Sequence, residues 1–138
     1  MKLILMGVVL GTIVLMVCSC ASVPTEPLSP GEIRLLAMDF SDASEVRKEQ
    51  RYTVDVKFDA QGAPEITRAC FQWSGYGSNC MKPLDYGNGL IKAEILAPSV
   101  PGSYSIKTYI YYVRNGKMEQ SNAVTTPVAV KGEKKPMR

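Results

Sequence analysis

Residues 51–58 alternate strictly: Tyr52, Val54, Val56 and Phe58 are apolar or aromatic, and Arg51, Thr53, Asp55 and Lys57 stand between them. A period of two places alternate side chains on opposite sides of an extended chain, so this stretch reads as a strand with one buried and one wet face. The period returns at 90–96, with Ile91, Ala93 and Ile95 on one side. It returns again at 103–113, with Tyr104, Ile106, Thr108, Ile110 and Tyr112 inward, and at 123–130, with Val124, Thr126, Val128 and Val130 inward. No segment after residue 31 shows the 3.6-residue period of an amphipathic helix. Strands that are apolar on one face only must cover that face with another layer, so the pattern points to two packed sheets.

The remaining elements follow from turn chemistry. Residues 32–40 form a mixed apolar run, expected as the first strand, and the polar stretch 42–50 is expected to carry a short helical turn. Residues 59–64 read as a turn, 65–74 as a strand, Gly75-Tyr76-Gly77 as a glycine-rich turn, and 80–84 as a short edge piece. Gly87-Asn88-Gly89 turns the chain into 90–96. Asn115-Gly116 signals a tight hairpin, because both central residues of such a turn need positive φ. Pro127 lies on the outward set and has no N–H to give, which suits an edge strand. The sum is about seven short strands in roughly 100 residues.

Within this pattern Pro101-Gly102-Ser103-Tyr104-Ser105-Ile106 resembles the Gly-x-Tyr segment that opens the penultimate strand of immunoglobulin-like domains. The resemblance implies an all-β, two-sheet antiparallel sandwich over residues 32–130, with the Tyr104 hydroxyl tied back to the backbone in a tyrosine corner. Ile106 stands where that family's second core cysteine would be. This weakens an antibody-type reading and leaves the sandwich intact.

The first residues read as an address. Lys2 precedes an uncharged apolar run to Val17, the charge and hydropathy pattern of an export signal. Val17-Cys18-Ser19-Cys20 resembles the lipobox of bacterial lipoproteins, with cysteine an uncommon choice at the position of Cys18. The resemblance implies cleavage of residues 1–19 and lipidation of Cys20. Ala21 is not aspartate, so by the sorting rule of such lipoproteins the expected address in a two-membrane bacterium is the outer membrane. Residues 20–31 carry Pro24, Pro27 and Pro30 and are expected to form a semi-extended tether reaching roughly 30 Å at about 3.1 Å per residue. Residues 131–138 are expected to be a flexible basic tail.

Cys70 and Cys80 remain after processing. In an oxidising compartment they are expected to pair across the turn that separates them. The chain has no histidine, which excludes a Ser-His-Asp triad and any His-ligated metal. A formal net charge of +3 is too small and too scattered to suggest nucleic acid. No carboxylate pair, phosphate loop or cation-binding spacing stands out, so no cofactor or metal is expected. The functional hint lies in Tyr76, Tyr86, Tyr109 and Tyr111. Tyr109 and Tyr111 alternate with the inward set and should face out, and Tyr76 and Tyr86 are expected in loops. Trp73, in step with Phe71, is expected to fill core. These features suggest a lipid-anchored, non-enzymatic envelope protein that binds or scaffolds another envelope component. A protein is the first expectation, and a glycan held by exposed aromatic rings is the alternative.

Overall fold

A computed structural model of the chain describes residues 26–41 and 43–133. The expected export signal, Cys20, Asp42 and the end of the expected basic tail lie outside these residues. Ten strands and no helix are present among them: β1 (Ile33–Phe40), β2 (Val46–Arg47), β3 (Arg51–Ala60), β4 (Glu65–Trp73), β5 (Ser78–Met81), β6 (Asp85–Gly87), β7 (Leu90–Leu96), β8 (Gly102–Arg114), β9 (Lys117–Gln120) and β10 (Val124–Lys131). They form two sheets. One has the order β1-β3-β7-β6, and the other has the order β2-β10-β8-β4-β5 with β9 paired to β8. The chain is therefore an all-β two-sheet sandwich.

The alternation read from sequence is the alternation that builds the core. Val54 and Val56 from β3 and Ile91 and Ala93 from β7 meet Ile106 and Ile110 from β8, all without solvent exposure. Each large aliphatic side chain buried this way stabilises the fold by about 1.5–3 kcal/mol. Phe71 and Trp73 of β4 are buried with them, so Trp73 is core filler as expected.

The strand count exceeds seven because three short pieces were not visible in the pattern. Where a helical turn was expected, β2 runs parallel to the end of β10, Val46 beside Val130 and Arg47 beside Lys131. It is fixed there by Arg47 N–H donating to the Tyr52 hydroxyl at 2.7 Å and Lys48 N–H donating to the Lys131 carbonyl at 2.9 Å. Tyr86, expected in a loop, lies in the short edge strand β6. The return from the Asn115-Gly116 hairpin is split into β9 and β10, with Ser121 and Asn122 between them.

That split joins the two sheets. Ser121 keeps step with β8, its N–H donating to the Ile110 carbonyl at 2.9 Å and its hydroxyl accepting the Ile110 N–H at 3.0 Å. Asn122 turns to the opposite sheet: its Oδ1 accepts the Leu35 N–H at 2.8 Å, and its Nδ2 donates to the Leu35 carbonyl at 3.1 Å. A side-chain amide thus serves β1 as a neighbouring strand would. Immediately after Leu35 the register of β1 against β3 slips by one residue, and Leu36 is turned out to solvent. This bulge explains why the apolar run of β1 did not alternate.

Both tight hairpins have the geometry their residues dictate. Asn88 and Gly89 have φ of 52° and 76°, and Asn115 and Gly116 have 52° and 74°. These pairs join β6 to β7 and β8 to β9 by two-residue turns whose twist matches that of the strands. Pro127 faces Ser105, whose N–H and carbonyl are both engaged with Ser74 on the β4 side. The pair is therefore of the non-hydrogen-bonded kind, and the missing N–H of Pro127 falls on the open edge, where it discourages pairing with another chain.

Candidate functional site

The two sandwich layers present different surfaces to solvent. Cross-strand registers assign the outward rows. On the four-stranded sheet Arg51, Asp55, Lys57, Lys92 and Glu94 point outward. Lys92 meets Asp55 at 3.1 Å and Arg51 meets Glu94 at 3.4 Å. On the six-stranded sheet the outward rows are Lys107 with Gln72 and Thr125, Tyr109 with Cys70, Tyr111 with Arg68 and Gln120, and Val113 with Glu65 and Met118. Glu65, at one corner, is the only carboxylate in those rows.

Toward the β5 edge of this second face Cys70 and Cys80 sit directly opposite each other in β4 and β5 and form a disulfide, with Cα atoms 4.0 Å apart. The pairing is the one expected from the sequence. Tyr109 occupies the same row, next to Cys70 on β8. Its hydroxyl is 2.7 Å from the Ser78 hydroxyl on β5, and the Lys107 ammonium lies 5.9 Å from its ring centre. Tyr111 stands edge-to-face against Tyr109, with centroids 5.8 Å apart and planes at 80°. Both tyrosines are half-buried on the outward side. The disulfide holds β5, β5 holds Ser78, and Ser78 holds the Tyr109 hydroxyl, so the pair is fixed before any ligand arrives. Sequence alone named the two tyrosines and the two cysteines. It missed Ser78 and Lys107, whose roles appear only once the register is known.

Tyr76 belongs to a different cluster at the β4–β5 turn. Its ring lies 6.1 Å from that of Tyr104, which stands edge-to-face on Trp73 at 5.7 Å. The Tyr104 hydroxyl donates to the Val100 carbonyl at 2.5 Å, the backward tie expected of a tyrosine corner. Burial, with Tyr76 alongside, raises the Tyr104 phenol above the usual tyrosine range. Tyr76 itself is 43% exposed.

Tyr86 is on the other sheet. It shares a row with Ile91 and Val56, which are fully buried, yet is itself 41% exposed because β6 is the edge. It borders an open cleft of about 410 Å³ between the β3–β4 and β6–β7 turns, with Phe58, Asp59, Pro64 and Asn88 among its walls. The four tyrosines therefore do not form one site: Tyr109 and Tyr111 are paired, Tyr76 is in the Tyr104 cluster, and Tyr86 is across the sandwich.

Part of the expected tether lies against the domain. The Arg34 guanidinium donates to the Glu26 carbonyl at 2.8 Å, and Arg114 Nε donates to the Pro30 carbonyl at 3.0 Å. Gly31 N–H donates to the Gln61 carbonyl at 3.0 Å. Gly31 has φ of 79°, and a Cβ there would stand 3.1 Å from the Arg114 side chain, so this approach suits glycine. At the opposite pole Glu45 binds Lys131 at 2.9 Å and Arg47 at 2.6 Å, and these cations hold its carboxyl below the usual range.

Among the described residues no group of three or more cysteines and carboxylates is placed to hold a metal ion. The chain matches no protein-family model and no curated protein.

Proposed function

We propose that this chain is a lipid-anchored envelope protein that acts by binding, and that it takes a protein partner on the outward face of its six-stranded sheet. The observation that carries the reading is the Tyr109–Tyr111 pair, fixed over the disulfide on a face almost without carboxylates. Rigid, half-buried aromatic rings with a hydrogen-bonding tip are the side chains that most often anchor a protein interface. Lys107 and Arg68 flank them and favour a partner with acidic groups around an apolar centre.

The domain is proposed to be immunoglobulin-like. In support, the orders β1-β3-β7-β6 and β10-β8-β4 correspond to the A-B-E-D and G-F-C sheets of that architecture. Tyr104 near the start of β8 and the buried Trp73 on β4 occupy the places where it uses a tyrosine and a tryptophan. The anchor rests on the lipobox resemblance at Val17-Cys18-Ser19-Cys20.

The test has two arms. The full chain and its Cys20→Ala variant are expressed in a two-membrane bacterium and fractionated, and the N-terminus is read by mass spectrometry. Lipid on Cys20, lost in the variant together with membrane association, is the expected result; a soluble, unlipidated wild type would remove the anchor. A photo-crosslinking residue at Tyr111 is then compared with one at Lys57, on the charged face. A discrete protein adduct from Tyr111 alone is expected, and equal labelling from both faces would remove the binding face.

A further inference from the structure

We infer that the cleft beside Tyr86 is a second binding site, independent of the tyrosine pair, and that it takes a neutral sugar. Tyr86 continues a row in which Val56 and Ile91 are wholly covered, while Tyr86 itself, at the cleft, is 41% exposed. At this sheet edge the row ends in an exposed aromatic residue, which gives a ligand in the cleft a surface to lie on. The walls are stiff. The β6–β7 turn is locked against β3 by Phe58 N–H donating to the Gly89 carbonyl at 3.0 Å, and a Cβ at Gly89 would stand 3.2 Å from the Phe58 carbonyl oxygen. Asn88 is held at φ of 52° by the turn itself. The site is therefore formed without a ligand, at about 410 Å³, within the range of small-molecule sites and roomy enough for a mono- or disaccharide.

The lining chooses the ligand class. No lysine or arginine lines the cleft, and Asp59, its one acidic residue, lies on the outward set of β3 opposite Arg34 on β1. With no cation in the lining, an anionic ligand finds no counter-charge there, which disfavours phosphates and acidic peptides. A sugar suits what remains: its C–H face would lie on the Tyr86 ring, and the Asn88 amide can both donate and accept. An organic ammonium ion would also suit an exposed aromatic ring, so the test must separate the two.

The experiment is saturation-transfer NMR on the full-length protein in glycoside-free detergent, with maltose, cellobiose and N,N′-diacetylchitobiose as probes and tetramethylammonium as the competing class. At least one disaccharide is expected to show saturable transfer. Tyr86→Ala should weaken it about tenfold or more, as loss of an aromatic anchor does. Asn88→Gly removes the amide while keeping a residue that accepts positive φ, so it should weaken binding with the melting temperature unchanged. Tyr109→Ala should leave the sugar signal as it is, which separates this site from the proposed protein-binding face. No saturable transfer from any of the three sugars, transfer from tetramethylammonium alone, or a signal lost in Tyr109→Ala and kept in Tyr86→Ala would each overturn the inference.

Discussion

The outward surfaces of the two sheets solve the same problem by different means. The four-stranded sheet keeps its face wet with alternating charges, and its Lys92–Asp55 and Arg51–Glu94 pairs are open to water. The six-stranded sheet has few charges there and is held instead by a covalent bond and by the Ser78–Tyr109 hydroxyl contact, with the Tyr104–Val100 tie behind it on the core side. Exposed ion pairs add little and rearrange freely. A disulfide across neighbouring strands and an edge-to-face ring pair do not rearrange. The first face is built for solubility, and the second for presenting a fixed shape.

The contrast can be broken most strongly at the disulfide. The double variant Cys70→Ser/Cys80→Ser is expected to lose about 2–3 kcal/mol of stability, measured by urea denaturation, because a closed loop of this length removes about that much unfolded-state freedom. A loss under half a kcal/mol would mean that β5 is held by its ladder alone. Next comes the strap between the sheets. Asn122→Ala leaves the Leu35 N–H and carbonyl without their side-chain partner and should cost about 1–2 kcal/mol, with faster amide exchange at Leu35. Tyr104→Phe, which deletes only the hydroxyl that reaches Val100, should cost about 1 kcal/mol by the same denaturation curve. The smallest effect belongs to the charged face: Lys92→Ala should change stability by no more than about 0.5 kcal/mol, and less in high salt. A larger loss there than at Tyr104 would reverse the comparison.

Alkaline titration sharpens it further, since the tyrosines whose phenols are raised, Tyr104 and Tyr112, both lie in β8. For Tyr112 burial is the main cause, and the neighbouring Glu119 charge adds to it. A folded pKa above the unfolded one means that the native state holds its proton longer. The stability this contributes is complete below about pH 10, the ordinary phenol value, and is lost as pH climbs through the raised one. Tyr112→Phe should flatten that alkaline decline in a series of urea curves.

Most of the sandwich was legible in the sequence because period-two alternation records burial directly. Every inward residue read from β3, β7 and β8 is on the core side. What escaped were the interruptions. A bulge at Leu36 leaves only a broken alternation, which looks like a weak strand. The strand β2 is two residues long and is defined by what it touches. The division of labour among the tyrosines was hidden for the same reason. The outward direction of Tyr109 and Tyr111 follows from parity, but whether Tyr76 and Tyr86 join them depends on which sheet each strand enters. The pinning of residues 26–31 was invisible in principle, since arginine donates there to backbone carbonyls, which every residue possesses.

That pinning changes what a lipid on Cys20 would do. A leash running freely from Cys20 to the first strand would let the domain tumble through a wide hemisphere. With Glu26 and Pro30 fastened, the link from Cys20 to Glu26 could span no more than about 20 Å. The pole that carries the β3–β4 turn and the β8–β9 hairpin would then ride close above the headgroups, while Lys131 lies at the opposite pole. Diffusion would become a two-dimensional patrol at nearly constant height. Two copies in one leaflet would meet side by side far more often than end to end.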